Sequence, residues 1–226
     1  CIRDRGIVHE RRNLLPGLHI RRVKKISGFT KTPVLAYNRN VVAGSAQIID
    51  FLDHEFPDTR RLIPTDDTAA EALGLAENLD EILGDAVRTT IFSAMLDQPA
   101  YMTRIFADDR KPMSQSAFTA LLRMFHKQFR SSTGATDPQR IENAKAETYR
   151  VMDRLAQRVG PHGYLVGERF TTADLTTASL LSPLANPDHV DVRFPEPRPA
   201  HVVSLHDEFA AHPVIQWVQK IYAAHR

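Results

Sequence analysis

Residues 28–57 read GFTKTPVLAYNRNVVAGSAQIIDFLDHEFP, and the spacing of their apolar residues changes halfway along. The run 34–36 is a short apolar segment after Thr-Pro, and the polar residues 38–40 predict a turn into a second short strand at 41–42. Beyond Gly44 the apolar residues recur at helical spacing until Pro57 ends the pattern: Ile48, Ile49, Leu52 and Phe56. The stretch therefore predicts a strand, a hairpin turn, a strand and a helix.

Two residues of this stretch indicate more than secondary structure, one the position of its strand and the other a candidate ligand site. Pro33 has no N–H to donate, so it belongs at the start or the edge of its strand. Ser45 lies near the first turn of the predicted helix, where unpaired backbone N–H groups and a hydroxyl bind a carboxylate or a phosphate. A serine at that position also serves as a cap of its own helix. The residues alone leave both interpretations open.

The order of these features carries a family resemblance. Residues 32–35 (Thr-Pro-Val-Leu), a turn, Gly44-Ser45 and an amphipathic helix ending in Phe-Pro resemble the glutathione-binding half of the thioredoxin-like domain of glutathione transferases. The resemblance implies a cis Thr32–Pro33 peptide bond, with the backbone of Thr32 paired to the cysteinyl part of glutathione. The first half of the chain is thus expected to bind this tripeptide.

The same resemblance implies roles for further residues. Ser45 would hold the γ-glutamyl carboxylate of glutathione, and Lys31 would face its glycine carboxylate. The family usually has Glu or Asp before that serine, to help hold the ammonium group, and this chain has Gly44 there. The predicted glutathione-binding residues are Lys31, Thr32, Pro33, Gly44 and Ser45.

Charge is distributed unevenly along the 226 residues. The whole chain has 29 Lys and Arg against 27 Asp and Glu, but residues 1–63 hold 12 basic and 6 acidic residues, and residues 64–226 hold 17 and 21. A basic first part suits an anionic peptide ligand. It does not favour nucleic acid, because no aromatic residues that would stack on bases lie between the basic pairs: Arg11-Arg12, Arg21-Arg22 and Lys24-Lys25.

Other function classes have little support in the sequence. The single cysteine, Cys1, excludes an internal disulfide, and the ten histidines show no metal-ligand spacing, so no metal site is predicted. The apolar runs fall far short of a membrane span, and no leader pattern is visible. The expected location is a reducing cytoplasm, without membrane association.

The beginning of the chain predicts a fragment of the family's domain. Residues 6–10 (Gly-Ile-Val-His-Glu) resemble the turn from the family's first helix into its second strand, and residues 7–13 alternate weakly as that strand would. The first strand and most of the first helix are therefore expected to be missing, and whether residues 1–6 are native sequence is left open. The family's catalytic Ser, Tyr or Cys follows the first strand, so the catalytic residue here is unknown, and Cys1 is assigned no role.

After the polar, proline-bounded connector 57–64 the periodicity becomes helical. We therefore expect a partial thioredoxin-like, glutathione-binding domain in residues 1–63 and an all-helical domain in residues 64–226. The overall class is α/β plus all-α. The apolar stripes that predict the helices begin at Ala72, Phe118 and Ile141, and the second of them includes Phe125 and Phe129.

The segment 164–175, YLVGERFTTADL, is the most specific sequence of the second half. Thr171 and Asp174 are spaced as the N-cap and N3 residues of a capping box, and Phe170 and Leu175 as a hydrophobic staple. The segment resembles the buried capping motif of the helical domain of glutathione transferases. Thr171 and Asp174 are therefore predicted to be structural capping residues.

The resemblance implies a glutathione S-transferase-like protein whose intact parent transfers the thiol of glutathione, as co-substrate, to a small apolar electrophile. A homodimer is expected from the family. Two alternatives remain open: a glutathione-dependent reductase, isomerase or dehalogenase on the same fold, and a non-catalytic binding or interaction module. The identity of the residue after the first strand would distinguish a reductase, isomerase or dehalogenase from a transferase. Binding of glutathione without turnover would identify a non-catalytic module.

Overall fold

The computed structural model describes residues 2–15, 19–108, 111–124, 135–192 and 194–226. Its first part holds a short 3-10 helix at Arg3–Arg5, then α1 (His19–Ser27), β1 (Val34–Tyr37), β2 (Asn40–Ala43) and α2 (Ser45–Glu55). The two strands are antiparallel, with Val34 opposite Ala43 and Tyr37 opposite Asn40. Asn38 lies in the hairpin turn with a φ of 53°, a left-handed conformation that asparagine tolerates better than most residues.

The elements of the second part that span several described residues are all helices. Its helices are α3 (Ala69–Met95), α4 (Pro99–Phe106), α5 (Pro112–Met124), α6 (Pro138–Arg158), α7 (Thr172–Ala185), α8 (Ala200–Ala210) and α9 (Pro213–His225). The long helix α3 packs against α6, α7 and α8, and α9 packs against α7 and α6. The apolar stripes that begin at Ala72 and Ile141 thus predict α3 and α6, whereas Phe125 and Phe129 lie outside the described residues.

One hydrophobic cluster joins the two parts of the chain. Leu83, Leu181 and Phe209 are fully buried at its centre, and Ile49 of α2 and Leu62 of the connector belong to the same cluster. α2 is therefore held against the helical part by apolar burial, which fixes where its first turn lies. The expected division of the chain into domains at residues 1–63 and 64–226 stays a prediction.

Buried polar contacts hold the connector in place. Asp53, near the end of α2, accepts hydrogen bonds from the backbone N–H of Leu62 at 3.2 Å and of Ile63 at 2.8 Å. Its Oδ1 also lies 2.6 Å from Nη1 of Arg5, in an ion pair that is almost completely buried. The carbonyl oxygen of Leu62 accepts from the backbone N–H of Thr172 at 2.8 Å. These contacts link α2 to the connector, and the connector to the start of α7.

The prediction of a strand over residues 7–13 is wrong, because the structure has no strand at these residues. Polar contacts of this segment include His9 Nδ1 with the Ile7 carbonyl oxygen, Arg12 with Glu10, and Arg11 with Asp191 in a distant loop. A strand requires a ladder partner, and weak alternation among three charged side chains does not supply one. Cys1 and residues 16–18 lie outside the described residues.

Candidate functional site

The site begins where β2 turns into α2. Gly44 is the N-cap of α2, and its backbone N–H donates to the carbonyl oxygen of Pro33 at 3.0 Å. This bond joins the Thr32–Pro33 segment, whose peptide bond is cis, to the helix start. The carbonyl oxygen of Gly44 accepts from Ile48 at 3.0 Å, which closes the first helical turn. The preceding N–H groups of that turn have no helical acceptor and are available to an anion.

Ser45 is the first residue of α2 and lies exposed at that turn. The N-cap position belongs to Gly44, which has no side chain, so the Ser45 hydroxyl is not the cap of its helix. Within the described part of the chain, no hydrogen bond of this hydroxyl is found. Its hydroxyl and the neighbouring N–H groups therefore form a compact set of donors.

Four of the five predicted residues line one cleft of about 2250 Å³: Thr32, Pro33, Gly44 and Ser45. Lys31 is exposed beside the segment and does not line this cleft. The far walls come from the helical part, with Leu73 and Ala76 of α3, Ile105 and Phe106 of α4, and Leu175 and Leu180 of α7. The arrangement provides anion-binding donors on one side and apolar surface on the other.

Gly44 has a backbone conformation that suits glycine. Its φ of 96° lies in the region that L side chains rarely adopt. A Cβ added at this position would lie 2.3 Å from Oε1 of Gln47. The Gln47 amide oxygen thus occupies the space in which an acidic side chain at position 44 would begin. Sequence reasoning missed Gln47, because only the backbone conformation of Gly44 brings the two positions together.

Thr171 and Asp174 form the start of α7 away from these donors. The Asp174 carboxylate accepts hydrogen bonds from the backbone N–H of Thr171 and of Leu165, both at 2.8 Å, and from the Thr171 hydroxyl at 3.0 Å. Asp174 is completely buried, and burial raises the pKa of its carboxyl group above the usual value despite these bonds. The carboxylate holds the chain before α7 and is completely buried, so a substrate cannot reach it.

Sequence reasoning also missed Arg5 and Asp53, the buried pair behind α2. Arg5 belongs to the 3-10 helix and lines the cleft, whereas Asp53 faces the connector. Asp53 falls on the apolar face of α2 beside Ile49 and Leu52, and a charged residue on such a face is the one signal of a buried pair that the sequence contains. The pair therefore connects a residue that lines the cleft with a residue that holds the connector.

Two classes of site find no support in the described residues. No group of three or more His, Cys, Asp or Glu side chains is placed to hold a metal ion among them. None of the described helices is both long enough and apolar enough to cross a bilayer.

Comparison with protein families gives two matches in chain order. Residues 1–60 match a sequence model described as the N-terminal domain of glutathione S-transferase, and residues 110–213 match one described as its C-terminal domain. A separate comparison with curated proteins gave no match.

Solved structures with a similar fold include two whose coverage is nearly complete. Glutathione transferase GSTFuA3 from Phanerochaete chrysosporium is 18% identical, with a TM-score of 0.61, over 100% of this chain and 86% of that one. The beta-etherase LigF from Sphingobium sp. strain SYK-6 is 17% identical, with a TM-score of 0.56, over 97% of this chain and 91% of that one. At such identities the likeness concerns the fold alone.

Proposed function

The chain belongs to the glutathione S-transferase family, with a thioredoxin-like first part and the family's helical second part, and on that premise we propose that it binds glutathione at the start of α2. The observation that supports this best is the position of Ser45. Its exposed hydroxyl and the open N–H groups of the first turn face a cleft that Thr32 and Pro33 also line. These donors suit the γ-glutamyl carboxylate.

The remaining contacts of glutathione follow from its shape. The backbone of Thr32 pairs with the cysteinyl part, and Lys31, at the exposed end of the segment, attracts the glycine carboxylate. The amide oxygen of Gln47 accepts from the ammonium group, in the place where the family usually has a carboxylate. A neutral acceptor gives a weaker hydrogen bond to an ammonium than a carboxylate does, so the affinity of the site is modest.

The reaction we propose is transfer of the glutathione thiol to an electrophile bound against the apolar walls. A free thiol with a pKa of about 8.5 is only slightly ionised at neutral pH, so the protein has to favour the thiolate. The thiol proton passes to water, a sulfur electron pair forms a bond to the electrophilic carbon, and the leaving group departs with the pair of the bond that breaks. The residue that favours the thiolate is unassigned.

A non-catalytic binding module is the second candidate, and Gly44 is the observation that favours it. Without a carboxylate at position 44 the site lacks one of the family's usual contacts with glutathione. Calorimetric binding of glutathione without turnover of an activated aryl chloride would identify such a module. Turnover by the same preparation would exclude it.

Replacement of Ser45 by alanine tests the site directly. We expect Ser45→Ala to weaken glutathione binding about tenfold, because it removes a hydrogen bond to a charged carboxylate. The midpoint of thermal unfolding should hardly change, since Gly44 and not Ser45 is the N-cap of α2. Ser114→Ala is the matched control, an exposed serine in the first turn of α5 outside the cleft. Unchanged affinity in Ser45→Ala, together with lost stability, would overturn the proposal.

A further inference from the structure

Three guanidinium groups surround a single carboxylate at the border of the cleft. Nη1 of Arg3 lies 3.3 Å from Oδ1 of Asp191, Nη1 of Arg11 pairs with the same oxygen, and Nη2 of Arg226 lies 3.6 Å from Oδ2. We call these four residues the Asp191 cluster. All four line the cleft that Ser45 also lines. With three positive charges and one negative charge, the cluster has a formal surplus of two positive charges.

The cluster combines one fixed guanidinium group with two accessible ones. The Arg226 side chain is only 9% exposed, lies over the ring of Tyr222 at 4.9 Å and donates from Nη1 to the Ser179 hydroxyl at 3.0 Å. The Arg3 and Arg11 side chains are 41% and 53% exposed. Both accessible side chains line the cleft, and a planar guanidinium group matches a carboxylate through two parallel hydrogen bonds.

The neighbouring wall is partly polar. Thr172, Thr176 and Ser179 of α7 line the cleft at spacings of four and three residues, so their hydroxyls share one helix face. Leu175 and Leu180 of the same helix line it as well, and so do Ile105 and Phe106 of α4. A ligand with an apolar body and one anionic end suits this combination better than a purely apolar ligand does.

We propose that the Asp191 cluster binds a carboxylate, and that this carboxylate belongs to the acceptor substrate of the transfer reaction. The second half of this inference rests on the proposed function. The acceptor is then an electrophilic organic acid, with its apolar body against α4 and α7 and its carboxylate on Arg3 and Arg11. The two carboxylates of glutathione are assigned to other residues, the γ-glutamyl carboxylate to the start of α2 and the glycine carboxylate to Lys31.

The test compares an acid with its neutral analogue on the whole 226-residue chain. The probes are 4-phenylbutanoate and 4-phenylbutan-1-ol, titrated separately by calorimetry without glutathione. The acid should bind about tenfold more tightly than the alcohol, because a charged pair of hydrogen bonds replaces a neutral one. Added sodium chloride should weaken binding of the acid and leave the alcohol unaffected. Equal affinity for the two probes would overturn the proposal.

Arg11→Gln and Arg12→Gln form a matched pair of variants. Both remove one positive charge from adjacent residues that line the cleft, but Arg12 pairs with Glu10 and lies outside the cluster. Arg11→Gln should lose about tenfold in affinity for the acid and none for the alcohol, whereas Arg12→Gln should stay within about twofold of the parent for both. Equal losses of affinity for the acid in the two variants would mean that binding depends only on the overall positive charge of the cleft. That result would overturn the proposed site.

Asp191→Asn separates binding from a purely structural role. If the cluster binds a carboxylate, removal of its own carboxylate frees donors and should raise affinity for the acid about threefold. If the cluster only ties residues 3–11 to the loop around Asp191, this variant and Arg11→Gln both lower the unfolding midpoint and leave the preference for the acid unchanged. That second pattern contradicts the proposal.

A separate glutathione titration distinguishes failure of this site from failure of the proposed function. Glutathione binding that depends on Ser45, with no preference for the acid probe, overturns the carboxylate site and leaves the proposed function standing. A preference for the acid that depends on Arg11, in a chain that does not bind glutathione, supports the carboxylate site and counts against the proposed function alone.

Discussion

Gly44 shows how one residue changes the chemistry expected of the site. Its φ of 96° disfavours any side chain, and Oε1 of Gln47 fills the space beside it. A residue with a side chain in this conformation, with a φ of 96° and a ψ of 144°, costs about 1–3 kcal/mol in folding free energy. An acid at position 44 would therefore require a different turn between β2 and α2. The chain has instead the neutral oxygen of Gln47, in the first turn of α2, beside position 44.

Substitutions of Gln47 test this interpretation at the residue scale. Gln47→Glu should tighten glutathione binding about threefold to tenfold, because a carboxylate binds an ammonium more strongly than an amide oxygen does. Gln47→Leu should weaken it by a similar factor, since it removes the acceptor and keeps the side-chain bulk. Calorimetry at neutral pH measures both, and the unfolding midpoint serves as control because Gln47 is exposed. Equal affinities in the two variants would show that Gln47 does not contact the ammonium.

At the scale of elements, the hairpin and the helices α2, α3 and α6 were predictable because their apolar spacing is set by local geometry, whereas α4 and α8 were not predicted. The stretch 28–57 indicated β1, β2 and α2, and the Thr171–Asp174 spacing indicated the start of α7. The Asp191 cluster was not predictable, because the loop 186–199 has no periodicity, and its partners Arg3, Arg11 and Arg226 are far from it in sequence. Gln47 was missed for a related reason, since its role depends on a backbone angle.

The contact between α7 and α8 includes a buried histidine that should make stability depend on pH. Nε2 of His206 lies 3.0 Å from the carbonyl oxygen of Pro183, and its Nδ1 lies 3.0 Å from Nη1 of Arg198. Burial lowers the pKa of His206, and the positive charge of Arg198 adds to this effect against the hydrogen bond to Pro183. The neutral ring donates to Pro183 and accepts from Arg198, and a protonated ring would direct an N–H at a guanidinium group.

The sign of the pH effect follows from the unfolded chain. Below its ordinary pKa of about 6.5, an unfolded histidine takes up a proton that the folded His206 does not, so the free energy of unfolding falls as pH falls from 6.5 toward the lowered pKa. His206→Gln should flatten this dependence between pH 7 and 5. His201→Gln, on the exposed side of α8, is the control and should leave it unchanged. Parallel curves of unfolding midpoint against pH in all three proteins would contradict the prediction.

At the scale of the whole molecule, the cleft depends on how α2 is held against the helical part. Ile49 and Leu62 place α2 and the connector in the common hydrophobic cluster, but apolar burial is not directional. Asp53 adds directional contacts, because its carboxylate accepts hydrogen bonds from the backbone N–H groups of Leu62 and Ile63 and forms an ion pair with Arg5. Leu62 in turn accepts from Thr172, beside the capping residues of α7. The donors of α2 and the walls from α7 thus belong to one continuous network.

Substitution of Asp53 tests whether this network stabilises the molecule as one unit. Asp53→Asn should lower the free energy of unfolding by about 3–5 kcal/mol, because it leaves the Arg5 guanidinium buried without a counter-charge. The double variant Arg5→Met with Asp53→Asn should recover part of that loss, since the unpaired charge is then absent. Urea unfolding followed by circular dichroism and by the fluorescence of Trp217, the single tryptophan, measures both the stability and the coincidence of the two transitions.

Asp50→Asn is the control for this experiment, because Asp50 lies exposed on the same helix and pairs with the exposed His54. Its effect should stay below about 1 kcal/mol, as is usual for a surface pair. A cost for Asp53→Asn no larger than that of Asp50→Asn would mean that apolar contacts alone hold α2. A large cost, with the two probes coinciding in the parent chain and separating in the variant, would show that the buried pair makes the glutathione side and the helical side unfold together.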